Sequence, residues 1–334
     1  MQEKGELLEE AGANFIEQQD RIHGKNKDIT EQIPEQPNLG RSTSPMVEST
    51  IGGANDSHWK NVPLENLPSR GLFYPDDAEI TIKAASVSEI RQWSTIDEND
   101  KLDVDDNLNF IIEKCCRLKI KGGKSWLTWR DISELDRLAL VFLIQELSFP
   151  DDQNSLFVKF TCPGPCIDLE KWKDEVRVRS HMLSFIEFPE EVMQYYSSEY
   201  KCFEIESQKL NETFYIYMPT IGAVEKLRAR ITQAKAAGRK IDKAFIKIAP
   251  YLIQDWQTFN QQAYHSLASD NFAWHVNKFT FVTKAVNQLE QARLAMVSIE
   301  CPKCGQPIST PLFSKSGFTV KDLFFISGGL NELI

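Results

Sequence analysis

The chain has 334 residues, 42% of them hydrophobic and 10% aromatic, enough for two or three domains with sizeable cores. Its formal charge of −10 disfavours non-specific binding to nucleic acid or anionic membrane, because affinity for phosphate rests on Lys and Arg. No run of about 18 apolar residues occurs and the first residues are polar, so neither a transmembrane helix nor a secretory signal is expected. Cysteine pairs are therefore read in a reducing cytosol, where they bind metal more often than they cross-link.

Residues 1–57 carry eleven acidic and five basic side chains, with Phe15 the single aromatic. Such a segment cannot bury enough apolar surface to offset its ordering entropy, and it is expected to be a disordered acidic tail. A short helix around Leu7–Ile22 could form on a partner. Trp59 opens the folded part. Val62 to Pro75 reads as an extended, proline-rich arm with a turn at Ser69–Gly71, because prolines exclude helix and Gly71 permits a positive φ. Glu79–Lys83 alternates as a half-buried strand. Ser86 and Glu89 form a capping box that starts a helix through about Thr95. Asn107–Leu118 places Leu108, Ile111, Ile112, Cys115 and Cys116 on one helical stripe, where the two cysteines read as packing residues.

Thr128 is expected to begin the strongest helix, Trp129–Leu147, with apolar residues at regular helical spacing. Leu156–Phe160 is a strand leading into Cys162-Pro163-Gly164-Pro165-Cys166, and Glu175–Arg179 alternates as a returning strand. Candidate hairpin strands follow at Phe203–Gln208 and Glu212–Met218, around Leu210-Asn211. Pro219-Thr220 caps a helix from Ile221 to Ala237, stopped by Gly238. Ile241–Ile253, Trp256–Leu267 and Phe272–Leu289 read as three more helices. Leu294–Glu300 is a strand running into Cys301-Pro302-Lys303-Cys304-Gly305. Ile308–Phe313 leaves that turn, and Phe318–Ile326 is a short apolar segment.

The two cysteine turns lie 134 residues apart in the sequence. Brought together, Cys162, Cys166, Cys301 and Cys304 make a tetrahedral sulfur cage of the kind zinc prefers. In the second turn Pro302 follows the first cysteine, backbone amides can donate to its thiolate, and Gly305 accommodates a left-handed bend. The first turn departs from this pattern, with three intervening residues and Pro165 removing an amide. Four thiolates close the coordination shell, so one structural Zn2+ per chain is preferred over a disulfide or unliganded thiols, and over a catalytic metal. Cys202 reads as a buried small residue.

No catalytic constellation stands out, and no enzymatic activity is expected. The histidines are scattered, and His265 and His275 read as surface or capping residues. Gly122-Gly123-Lys124-Ser125 lacks the upstream glycine and strand of a phosphate loop and reads as a turn. The acidic run from Asp97 to Asp106 lacks the glycine and terminal glutamate of a calcium loop and reads as a helix-capping stretch.

Taken together, Leu67-Pro68-Ser69-Arg70-Gly71-Leu72-Phe73-Tyr74-Pro75, the alternating strand, the Asp136-Arg137 helix and the strand into Cys162 resemble the baseplate hub and hub-assembly family of T4-like contractile-tailed bacteriophages. Tyr217-Met218-Pro219-Thr220 and the hydrophobic tail with Phe324-Phe325 after Cys304 belong to the same resemblance, which spans about residues 60–330. It implies a role in virion assembly through other baseplate hub or tail proteins, in the host cytoplasm during assembly, and leaves open whether the protein stays in the tail baseplate or acts only during assembly. It implies no enzymatic activity; the zinc reading rests on the residues alone.

The expected fold is α+β: a zinc-ribbon-like β core with flanking helices and a long, mainly helical insertion between the knuckles. Its parts are the tail 1–57, the arm, strand, helices and first knuckle in 58–179, a hairpin and helical insertion in 180–293, and second-knuckle strands with a C-terminal segment in 294–334 packing back on 58–179. Leu72, Phe73 and Tyr74 of the arm are the expected partner-binding anchors, since such arms lay backbone and side chains along a partner; the alternative is that they pack on their own domain. The alternative is a zinc-ribbon nucleic-acid-binding protein of phage transcription or replication, disfavoured because Asp168, Glu170, Asp174, Glu175 and Glu300 offset the lysines and arginines near the knuckles. No membrane and no small-molecule substrate are expected.

Overall fold

The computed structural model describes residues 39–41, 58–122, 126–149, 156–162, 173–311 and 321–324. Helices and strands are mixed, in an α+β arrangement with four small antiparallel sheets among the described residues. Of the acidic segment expected to be disordered, only Leu39–Arg41 is described. These residues form strand β1, paired antiparallel with Ser184–Ile186.

The first sheet joins β2 (Lys60–Val62), β3 (Ala78–Ile82) and, after helices α1 (Val87–Trp93) and α2 (Lys101–Cys115), β4 (Cys116–Ile120). The capping box predicted at α1 is present, with the Glu89 carboxylate accepting the Ser86 amide. The acidic run caps α2, where Asp100 accepts the amide of Leu102 at 2.9 Å. The expected helix to Leu118 stops at Cys115. From Cys116 the period switches to two, with Cys116 and Leu118 buried and Arg117 and Lys119 exposed, and the segment pairs with β3. Cys115 and Cys116 thus belong to different elements, and both are buried.

Thr128 caps only a short 3-10 turn, Trp129–Asp131; Ser133 then caps α3 (Glu134–Ser148). Every residue from Ala139 to Ile144 is buried, so α3 runs through the main core with no wet face over that stretch. Two hairpins flank it. One pairs β5 (Phe157–Thr161) with β6 (Lys173–Arg177). Next come β7 (Leu183–Ile186), the short helix α4 (Glu190–Met193), and a sheet of β8 (Tyr196–Ser197), β9 (Cys202–Ser207) and β10 (Glu212–Ile216). The β9–β10 turn contains Asn211 at φ +50°, a left-handed position that asparagine tolerates.

Helices α5 (Ile221–Ala236), α6 (Lys243–Ile248), α7 (Gln261–Phe272) and α8 (Val276–Leu289) follow. Thr220 caps α5, accepting from the amide of Ala223, and Gly238 at φ +69° lies just beyond its end. The predicted helix Ile241–Ile253 is broken into α6 and a 3-10 turn at Ala249–Leu252, because Pro250 cannot continue the hydrogen-bond ladder. The second hairpin, β11 (Arg293–Glu300) and β12 (Pro307–Pro311), completes a sheet in the order β1-β7-β11-β12.

Burial falls into three clusters. The largest contains Ile80, Trp93, Ile111 and Phe142 from the N-terminal half together with Cys162, Cys301, Ile308 and Phe324. Phe324 lies against the ring of Trp93 at 4.9 Å between centroids. The second gathers Phe203, Phe214, Ile216, Val282 and Val286; the third gathers Leu227, Phe245, Ile253 and Phe259. No helix among the described residues is long and apolar enough to cross a membrane.

Candidate metal centre

Of the candidate ligands, Cys162 and Cys301 each directly follow a strand that delivers them to the site, and Cys304 lies in the turn after Cys301. In β5, Val158 and Phe160 point into the core and Phe157, Lys159 and Thr161 point out, so Cys162 comes next on the inward side. At the other tip, Cys301 donates its amide to the Gln306 carbonyl at 2.8 Å and accepts at its own carbonyl from the Gly305 amide at 2.8 Å. Gly305 has φ +70°, the left-handed bend its sequence position predicts.

The sulfur atoms of Cys162, Cys301 and Cys304 lie within 4.8 Å of one another. Cys162 and Cys301 are buried and Cys304 is half-buried. The Cys162 and Cys304 sulfurs are 3.5 Å apart. A disulfide would bring them to about 2.05 Å. A tetrahedral site with metal–sulfur bonds of about 2.3 Å would hold them about 3.8 Å apart. The group can hold a metal ion, and its geometry suits ligands around a shared centre better than a covalent bridge. Cys166 lies outside the described residues, as do Pro163, Gly164 and Pro165.

The Cys301 thiol differs chemically from Cys115, Cys116 and Cys202. Burial works against ionisation of Cys301, but the amides of Cys304 and Lys303, with the Cys304 and Cys162 thiols, outweigh it and bring the group down to about 7. Burial, reinforced by Glu89, pushes the Cys115 thiol up to about 12; burial pushes Cys116 up further and Cys202 up to about 11. Only the thiolate is a metal ligand. The hairpin tip is thus prepared for ligation, while Cys115, Cys116 and Cys202 are packing residues.

The expected anchors of the arm make contacts within the chain. Tyr74 is 2% exposed and packs within the chain. Its hydroxyl donates to Asp136 Oδ2 at 2.6 Å and accepts the Ser133 amide at 3.1 Å. Ser69 supplies two more donors to the same carboxylate, its amide to Oδ1 at 2.8 Å and its hydroxyl to Oδ2 at 2.6 Å. Phe73 packs into the second cluster, 5.8 Å from both the Phe188 and Phe203 rings. Leu72 is half-buried, with its carbonyl accepting from the Tyr196 hydroxyl.

Asp136 is the residue that sequence reasoning missed. It is fully buried on the first turn of α3, and burial raises its carboxyl to about 6 against the pull of the Ser69 and Tyr74 hydrogen bonds. An acidic residue among apolar helix positions was the available signal. His275 caps α8, accepting the Asn277 amide at 3.3 Å, and His265 is exposed on α7. No protein-family model, no curated protein and no solved structure matches the chain.

Proposed function

We propose that this chain is a structural or assembly component of a contractile-tail baseplate hub, acting by protein–protein binding around a structural zinc. The carrying observation is the convergence of Cys162 with Cys301 and Cys304 at the tips of two hairpins, with a separation of 142 residues between Cys162 and Cys304. Cys166, four residues after Cys162, is the fourth ligand in this reading. A closed thiolate shell supplies folding energy, on the order of 10 kcal/mol, and no position for a substrate. Cys162 and Cys301 belong to the largest cluster while the chain between them builds the other two, so a cross-tie at this point fixes the roots of that excursion. The assignment to a hub rests on the arm Leu67–Pro75 and the elements that follow it in the same order as in the family it resembles.

Two measurements test this reading. The purified chain is expected to carry about one zinc, and Cys301→Ser to lose most of it. Metal content unchanged in that variant would remove the zinc site. Affinity capture from infected cells is expected to recover baseplate hub proteins. Recovery of a polymerase or of nucleic acid in their place would instead favour the nucleic-acid-binding alternative.

A further inference from the structure

Helix α5 borders a groove that is unrelated to the cysteines. A cavity of about 420 Å³ lies between Arg130, Lys226, Arg230, Gln233 and Trp256. A smaller one of about 80 Å³ shares Arg230 and Gln233 with it and reaches Arg239 and His265. The lining of the two holds four cations, Arg130, Lys226, Arg230 and Arg239, against a single carboxylate, Glu225.

That carboxylate is already engaged. Its Oε2 accepts from Arg130 Nε at 2.7 Å, and its Oε1 accepts from Asn109 Nδ2 at 3.2 Å. Among the described residues, Lys226, Arg230 and Arg239 pair with no carboxylate. Lys226 donates to the Gln257 carbonyl at 3.4 Å and lies 5.6 Å from the Trp256 ring centre. Arg230 donates from Nη1 to the neutral Gln233 Oε1 at 2.9 Å, and its shielded Nε has no acceptor. Arg239 Nη1 faces His265 Nε2 at 3.4 Å. Neighbouring cations repel, and a shielded donor without an acceptor costs on the order of 1–3 kcal/mol. An incoming carboxylate relieves both.

We propose that this two-lobed groove binds a short acidic peptide segment of a partner protein. One carboxylate is taken by Arg230 and Lys226 in the larger lobe and another by Arg239 in the smaller. Ala229, Ala234 and Ala237 on its walls leave room for the methylenes of glutamate side chains. A nucleic acid fits less well. The chain's charge of −10 opposes a long polyanion, which needs an extended basic track. Trp256 is also held in place, donating from Nε1 to Asp131 at 2.6 Å and packing its ring on Gly222. This site stands independently of the metal and of the baseplate reading.

The test is fluorescence anisotropy of fluorescein-labelled hexaglutamate titrated with the full chain. Saturable binding that weakens with salt is expected, and Arg230→Glu should weaken it at least about tenfold, the scale of one charge-assisted hydrogen bond. Arg239→Glu, at an exposed position, should also weaken it, and it serves if Arg230→Glu lowers the melting temperature. The proposal is overturned by no saturable binding at low salt, by wild-type affinity in either folded variant, or by tighter binding of a twelve-residue oligothymidylate than of hexaglutamate.

Discussion

Asp136 shows how one side chain can decide the conformation of a segment far from it in sequence. Ser69 and Tyr74 of the arm and Ser133 before α3 all close on this carboxylate, directly or through the tyrosine hydroxyl. Burial also holds the Tyr74 phenol well above its ordinary value, with the nearby Asp136 charge adding to it, so the tyrosine stays a donor. Tyr74→Phe removes that donor and the acceptor of the Ser133 amide, and is expected to cost about 1–3 kcal/mol in a urea melt. The carboxyl of Asp136 sits at about 6 in the fold, above the ordinary carboxylate value near 4. Protonation therefore favours the folded state: this contribution is full below about pH 4 and is lost as pH rises through 6. Its size is up to about 3 kcal/mol. In Asp136→Asn the component is absent, so the stability of the variant relative to wild type should rise between pH 4 and 6.5 and then level off. Parallel stability profiles for the two proteins would refute this.

At the scale of elements, short-range chemistry explains most boundaries. Ser86, Asp100, Ser133, Thr220 and Asp242 each stand at a helix start, where a side-chain oxygen meets orphan amides. Two glycines are fixed by space as well. Gly71, at φ +77°, would bring a methyl group to 3.0 Å from the Leu64 Cβ, and Gly222 would bring one to 2.5 Å from the Trp256 ring. Gly222→Ala is expected to destabilise the chain by about 1–3 kcal/mol through overpacking. It should also alter the Trp256 emission spectrum, because the Asp131 hydrogen bond is displaced with the ring. An unchanged melt and spectrum would show that α5 shifts freely. The errors of the sequence reading also lie at this scale. The stripe through Cys115 and Cys116 fits a helix and a strand equally over its last residues, and only pairing with β3 decides between them.

For the whole molecule, the consequential contact joins residues from both halves of the sequence. If the cysteines hold the proposed zinc, treatment with a chelator is expected to loosen the two hairpins at the cysteine ends first. Amide exchange should accelerate at Val158–Thr161 and at Ile299–Ile308, while β9 and β10, which belong to the second cluster, keep their protection. Uniform acceleration across both clusters would show that the cross-tie governs the entire fold. Equal rates with and without chelator would show that the hairpins do not depend on it.

The sequence by itself determined the mixed α+β class, the caps at Ser86 and Thr220, the strands leading to Cys162 and Cys301, and the left-handed bend at Gly305. These are local matters, set by residue type, period and φ within a few positions. Paired turns also pointed to Cys162 joining Cys301 and Cys304, and the tertiary structure supplied the spacing of their sulfurs; it alone decided that Tyr74 turns inward to Asp136 and that Leu39–Arg41 pairs with β7. It also gathered Arg130, Lys226, Arg230 and Arg239 around one groove. Such juxtapositions depend on which surfaces the packed elements bury against one another; a thiol names its distant partners by shared metal chemistry, whereas a tyrosine, an aspartate or an arginine carries no record of which distant residue it will meet.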